Sequence, residues 1–222
     1  MMVMSPAVRP LTLLLAIALV AQACVTPPVS LRQGPRTYTA QSYEAVLERW
    51  TREGRGYTLS GFLDDQLMAT ATYESWDFRW AYVVRYASDF HLTTEERSRL
   101  LRTSLEASQR EHEFYVTLAM PNRRWGDLAA PTSAWRVVLV NDRNLAVLPS
   151  AIERVRQPGV IERTYFPYTN VWRQVFRIRF PTHSAEHGPD PAALIDARTR
   201  HFSLRFTGPV GQLDLTWTLS PS

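Results

Sequence analysis

The stretch His201–Leu219, HFSLRFTGPVGQLDLTWTL, decides the fold. Phe202, Leu204 and Phe206 alternate with Ser203 and Arg205, and Leu213, Leu215, Trp217 and Leu219 alternate with Gln212, Asp214, Thr216 and Thr218. A period of two gives each segment one buried and one wet face, which is the signature of a half-buried β-strand. The link Thr207-Gly208-Pro209-Val210-Gly211 is short and turn-prone, so the two strands form an antiparallel hairpin.

The same pattern recurs upstream. Trp172, Phe176, Ile178 and Phe180 oppose Arg173, Arg177 and Arg179, which predicts a strand with an arginine-bearing wet face. Phe114, Val116, Leu118 and Met120 alternate, Ile152–Val155 is a weaker strand, and Trp135–Val140 is the near-continuous apolar run of a central one. Leu67, Ala69, Ala71 and Tyr73 continue the series in the second strand of a Tyr57–Tyr73 hairpin, with Asp64 and Asp65 at its turn. Seven or eight short strands of this kind make the chain mainly β: an antiparallel β-sandwich, roughly immunoglobulin-like.

Two or three helices join them in the N-terminal half. Tyr43, Val46, Leu47 and Trp50 fall at i, i+3, i+4 and i+7 after a capping Ser42, and Gly54 and Gly56 are the expected stop. A second helix runs from Ser75 to Phe90 with Trp76, Trp80, Val83, Ala87 and Phe90 along one side. A third begins at the capping box Thr93/Glu96 and runs to about Glu111, with Leu101, Leu105 and Ser108 inward. The last two form a helical insertion of about residues 75–112 in one domain, residues 40–222.

The N-terminus has a different character. After Arg9, the ten residues Leu11–Val20 are apolar, the length of a signal-peptide core and too short to span a bilayer. Ala21-Gln22-Ala23-Cys24 resembles the lipobox of bacterial lipoproteins, whose cysteine takes a diacylglycerol before the leader is removed. That resemblance, confined to the first 24 residues, implies a signal peptide over 1–23, lipid attachment at Cys24 and a lipidated tether over 24–39. Ordinary cleavage after the same A-x-A triplet is the alternative and leaves a free thiol. Val25 stands where aspartate would mark inner-membrane retention in that family, implying an outer-membrane anchor facing the periplasm. Pro27, Pro28, Gly34 and Pro35, with few large apolar side chains around them, suit an extended, poorly ordered spacer between lipid and fold.

Composition narrows what the domain does. Cys24 is the only cysteine, so the chain has no intramolecular disulfide and no thiolate metal cluster. All 25 basic residues are arginine, and loss of Arg9 with the leader takes the formal charge from +4 to +3. These arginines are interleaved with acids, as in Glu44, Glu48, Arg49, Arg52 and Glu53, rather than gathered into the stripe a nucleic-acid surface needs. His183-Ser184-Ala185-Glu186-His187 fits the H-x-x-E-H pattern of inverted zinc peptidases, in which a helix sets both imidazoles on one face. Here Pro181 precedes it and Gly188, Pro189 and Pro191 follow, so the pair is a weak metal candidate in a loop. The chain has no G-x-S-x-G elbow and no phosphate-cradling loop, and no motif calls for a cofactor. Asp64/Asp65 and Glu95/Glu96 are a turn and a helix start. His112 and His201 sit near element ends, where a lone histidine is more often structural.

Tyr165, Phe166 and Tyr168, with Trp172, either fill the end of the core or form a recognition patch beside Arg173, Arg177 and Arg179. Two functions of different class fit these residues. One is a membrane-anchored binding or structural module with a protein partner in the cell envelope. The other is a secreted zinc hydrolase using the His183/Glu186/His187 loop. Labelled palmitate should enter the wild-type chain in cells and be lost from Cys24→Ala; equal labelling of both would remove the lipid anchor.

Overall fold

The computed structural model describes residues 27–56, 67–120, 123, 125–184, 192–209 and 211–220. Within them the chain runs α1 (Tyr43–Trp50), β1 (Thr51–Gly56), β2 (Leu67–Tyr73), α2 (Trp76–Asp89), α3 (Thr94–Arg110), β3 (Glu111–Ala119), β4 (Arg136–Asn141), β5 (Ala146–Val147) and β6 (Ala151–Val155). It continues through α4 (Val160–Tyr165), β7 (Gln174–Pro181), β8 (His183–Ser184), β9 (Ala192–Ala193), β10 (His201–Gly208) and β11 (Gly211–Thr218). The chain is mainly β. One antiparallel sheet has the order β1-β2-β3-β7-β6, a second has β11-β10-β4-β5, and β8 and β9 form a small ribbon.

The terminal hairpin forms as its alternation dictates. Phe202 lies opposite Trp217, Leu204 opposite Leu215 and Phe206 opposite Leu213, and all six are buried. The side chains opposing them across the sandwich come from the first sheet. The Tyr73 ring meets that of Phe202 at 5.2 Å, and Phe114 meets Trp217 at 5.5 Å. Trp217 and Phe202 stack within their own sheet at 5.3 Å. As expected, β4 is an interior strand, paired with β10 on one side and β5 on the other.

The two sheets meet along β1 and β11, and this seam explains the misread glycines. α1 ends at Trp50, and Gly54 and Gly56 lie in β1 rather than capping the helix. A Cβ on Gly54 would stand 2.8 Å from Leu213 Cδ1 and 2.9 Å from Leu215 Cδ2, so a larger residue there would push those side-chain ends off the β1 backbone. Across the same seam Trp217 Nε1 donates to the Trp50 carbonyl at 2.9 Å, and Arg52 Nε donates to the Thr216 carbonyl at 2.9 Å. The first strand therefore begins at Thr51, not Tyr57, and pairs with β2 up to Gly56 opposite Leu67. The Asp64/Asp65 turn lies outside the described residues.

The helices follow their apolar periodicity with two adjustments. In α1, Tyr43, Val46, Leu47 and Trp50 are all buried. The Ser42 side chain does not cap it; a 3-10 turn over Ala40–Ser42 intervenes, and Ser42 Oγ accepts instead from Thr39 N at 3.2 Å. α2 is capped by Ser75, whose Oγ accepts from Phe78 N, but its inward face is broader than one stripe. Phe78, Ala81, Val83 and Ala87 are buried, Trp76 and Trp80 are half-buried, and Phe90 is exposed, with both α1 and α3 packed against the helix. The capping box of α3 closes both ways: Thr93 Oγ1 accepts from Glu96 N at 3.2 Å and Glu96 Oε2 from Thr93 N at 2.9 Å. Leu105 is its buried contact, with Leu101 and Ser108 half-covered.

The presumed tether is fastened from its fifth residue after the cysteine. Val29 is fully buried, donates from its N–H to the Thr218 carbonyl at 2.8 Å and accepts from Ser220 N at 2.8 Å. Further on, Trp76 Nε1 donates to the Gly34 carbonyl, while Arg36 and Tyr38 donate to Asp77. The segment is extended as its prolines require, yet it lies on the domain.

Leu204→Asp, a buried charge without a partner, should cost several kcal/mol. Trp217→Ala should cost about 3–5 kcal/mol from lost packing. Urea melts of both variants should show strongly lowered midpoints; a wild-type midpoint for either would mean that the faces of the hairpin are assigned wrongly.

Candidate functional site

At one end of the sandwich the N-terminal segment, both sheets and two helices enclose a cavity of about 820 Å³. β2 and β3 bring Tyr73 and His112 to it, the start of α2 brings Trp76, and the last turn of α3 brings Ser108 and Gln109. Ser30–Gln33 forms another wall, joined to α3 where Gln109 Nε2 donates to Gln33 Oε1 at 3.3 Å; Thr182 and His183 also line it, with Asp196 and Thr199 beyond β9. Leu219 and Ser220 complete it just after β11.

His112 is the chemically distinctive group here. The alternation of β3 puts it on the same face as Phe114, Val116 and Leu118, and it is buried. Its Nδ1 lies 2.9 Å from the Tyr73 hydroxyl, and its Nε2 is buried with no partner among the described residues. Burial pushes the Tyr73 phenol well up, so it keeps its proton. Donation of that proton to Nδ1 puts the imidazole hydrogen on Nε2, the unpaired position. Burial, with a smaller contribution from His183, pulls the imidazole pKa down to about 4, so the ring is neutral at pH 7. A neutral, fixed imidazole is a hydrogen-bonding group rather than a charge. Sequence reasoning assigned His112 to a structural place at an element end; the available signal was an imidazole at an apolar position of an alternating strand.

The sequence-selected residues are distributed differently. Tyr165 and Phe166 are core, and Tyr168 is half-buried. Phe166 stacks on Tyr115 at 3.8 Å with 6° between planes, and Tyr165 meets Tyr43 edge-on at 5.8 Å. Trp172 precedes β7 and is 79% exposed. The arginine face of β7 is roofed rather than wet. Arg177 Nη1 reaches Glu74 Oε1 at 3.1 Å and Glu113 Oε1 at 3.7 Å, and Arg79 Nη2 reaches Glu113 Oε2 at 2.7 Å and Glu74 Oε2 at 3.4 Å. Arg179 pairs with Glu153, and Arg173 donates to the Thr70 and Thr117 hydroxyls. Burial pushes the Glu74 carboxyl up, with Arg79 and Arg177 pulling against it. Arg79 and Arg177 neutralise the buried Glu74 and Glu113 and hold the helical roof on the sheet, while Arg173 and Arg179 are half-buried beside them.

His183 is exposed in the extended strand β8, hydrogen-bonded to Thr182 Oγ1 at 2.9 Å, so the helical geometry of a zinc peptidase is not present at the first residue of H-x-x-E-H. Glu186 and His187, like Cys24, lie outside the described residues. Among the described residues no group of three or more His, Cys, Asp or Glu is placed to hold a metal ion. No helix among them is long and apolar enough to cross a membrane.

No protein-family model, no curated protein and no solved structure matches the chain.

The His112 environment has a pH signature. Its pKa is lower folded than in the unfolded chain, so between about pH 6.5 and 4 the unfolded state binds more protons and stability rises with pH. Acidification through that window should cost on the order of 3 kcal/mol from this residue, levelling off below pH 4. His112→Asn, which retains an acceptor for Tyr73, should flatten the stability slope over that range in urea melts; an unchanged slope would mean that the imidazole is solvated.

Proposed function

We propose that this chain is a lipid-anchored protein of the bacterial cell envelope that acts by binding, with the end of the domain remote from its anchor docking a protein partner. The lipobox-like Ala21–Cys24 supports the anchor, and Val25 supports an outer-membrane, periplasm-facing location. Cys24 precedes the buried Val29 by five residues, a span of at most roughly 17 Å at full extension. A domain so attached stands close to the bilayer with its cavity end toward it.

The observation that carries the docking reading is the position of the exposed apolar side chains. Pairing of Glu111 with Pro181 marks the cavity end of the first sheet, and pairing of Leu118 with Gln174 and Val155 with Val175 marks the opposite end. Val171 (63% exposed) and Trp172 (79%) enter β7 at that opposite end. Val160 (81%) and Ile161 are reached by the chain leaving β6 there, and Trp125 follows the loop whose Arg123 carbonyl accepts from Gln174 Nε2. These are five of the seven large apolar side chains exposed among the described residues. Buried Tyr165 and Phe166 and half-buried Tyr168 brace the segments that carry Val160, Ile161, Val171 and Trp172, so the side chains are presented from a rigid base, which limits the ordering cost of binding. Exposed tryptophan is the residue type favoured as an interface anchor. The zinc-hydrolase alternative draws no support from an extended His183.

A photo-crosslinker at Val171 should capture one discrete envelope protein in intact cells. Trp172→Ala should weaken that capture at least tenfold while leaving the melting temperature unchanged. Capture that is unaffected by Trp172→Ala, or a peptide- or glycan-hydrolysing activity that depends on His183, would overturn this reading.

A further inference from the structure

We propose that the cavity at the anchor end binds a neutral, polyhydroxylated ligand, the sugar residues of a glycan. Its volume of about 820 Å³ lies within the roughly 300–1,000 Å³ usual for small-ligand pockets, room for more than one sugar ring. The wall chemistry then selects the class. Hydroxyl and carboxamide groups dominate its polar part, led by Ser108 and Gln109 on α3 and Gln33 on the N-terminal segment; Gln109 Nε2 donates to Gln33 Oε1 at 3.3 Å and Ser108 Oγ to the Leu105 carbonyl at 2.7 Å, which leaves each with further hydrogen-bonding capacity. Such groups both donate and accept, as sugar hydroxyls do, so each can pair whichever way the ligand's O–H turns.

Among the described lining residues charge is scarce and balanced. Arg32 and Asp196 are of opposite sign, and Asp196 is already engaged by Arg143 at 3.0 Å and by Thr199. His112 adds none at neutral pH, because burial keeps its ring uncharged. A phosphate or carboxylate ligand would find a single guanidinium and a carboxylate on the same wall, a poor match for anion recognition. An alkyl chain would match the apolar part of the lining, Leu31, Ile195 and Leu219, but would strip water from the hydroxyls and amides beside it without replacing its hydrogen bonds, at about 1–3 kcal/mol for each group left unpaired. A pyranose avoids both penalties. Its C–H face suits the negative face of an aromatic ring, and the half-buried Trp76 supplies one here. Trp76 is held in place by donation from Nε1 to the Gly34 carbonyl at 2.9 Å, so its ring is oriented before any ligand arrives.

The site is separate from the docking end, and the two readings fail separately. The full-length chain, in a detergent without a sugar headgroup, is titrated with a disaccharide of N-acetylglucosamine and followed by tryptophan emission and saturation-transfer NMR. Saturable binding with a millimolar or tighter Kd is expected, weakened at least tenfold by Gln109→Leu and by Trp76→Ala, and unchanged by Trp172→Ala. Gln109 is exposed on α3, so its variant tests the site even where Trp76→Ala fails to fold. Co-sedimentation with an insoluble glycan polymer separates a polymer source from free sugars. Absence of saturable binding up to about 10 mM sugar, a weak limit of some 3 kcal/mol, overturns the proposal. So does wild-type affinity in Gln109→Leu, or saturation by palmitate or inorganic phosphate but not by sugar.

Discussion

Trp50 holds together parts that the sheets alone would leave apart. Its backbone carbonyl receives the indole N–H of Trp217, the central aromatic of β11, and its own indole donates to Asp77 at 3.0 Å. Asp77 sits in the first turn of α2, where a carboxylate is favoured by the helix dipole, and also takes Arg36 and Tyr38 from the N-terminal segment. Burial pushes that carboxyl's pKa up, but the hydrogen bonds from Trp50, Tyr38 and Arg36 outweigh it and hold Asp77 ionised below the usual range. One residue at the end of α1 thus links the second sheet, the helical layer and the N-terminal segment. The close approach of β1 to β11 depends on it, and that approach covers an edge of each sheet that would otherwise invite pairing with another chain.

Beneath the helices the first sheet carries a second constraint of a different kind. Glu74, Arg79, Glu113 and Arg177 bring two carboxylates and two guanidiniums together where little water reaches, and Arg177 also lies 5.5 Å from the Tyr115 ring centroid. Ion pairs of this sort seldom add much net stability, because desolvation consumes most of the attraction. Loss of one member, however, leaves its partner buried and unmatched. The network therefore fixes how α2 sits on β3 and β7 more than it strengthens the fold.

What was legible in the sequence was whatever is encoded locally. The β10–β11 hairpin, the α1 stripe and the Thr93/Glu96 box each carry their whole signal within twenty residues, and each formed as read. The arginines of β7 show where locality stops: alternation separates Arg177 and Arg179 from Phe176 and Ile178, but cannot say that a helix and the Tyr165–Tyr168 segment roof the polar side. Gly54 and Gly56 failed for a related reason. A glycine after a helix looks the same whether it ends the helix or admits a leucine from a strand more than 150 residues away. The cavity was beyond reach altogether, since segments near residues 30, 73, 110, 182, 196 and 219 meet only in the folded chain.

The fastening of Val29 to the end of β11 has a mechanical consequence. Its two backbone hydrogen bonds, the Trp76–Gly34 bond and the Asp77 cluster follow one another along the segment, so a pull from the N-terminal side loads them in sequence rather than all at once. The first to part frees Ser30–Gln33, which is a wall of the cavity, while Trp50, Asp77 and the sandwich stay intact. Tension on the segment would thus be spent on Val29 and the pocket wall before it reached Trp50 and the rest of the core.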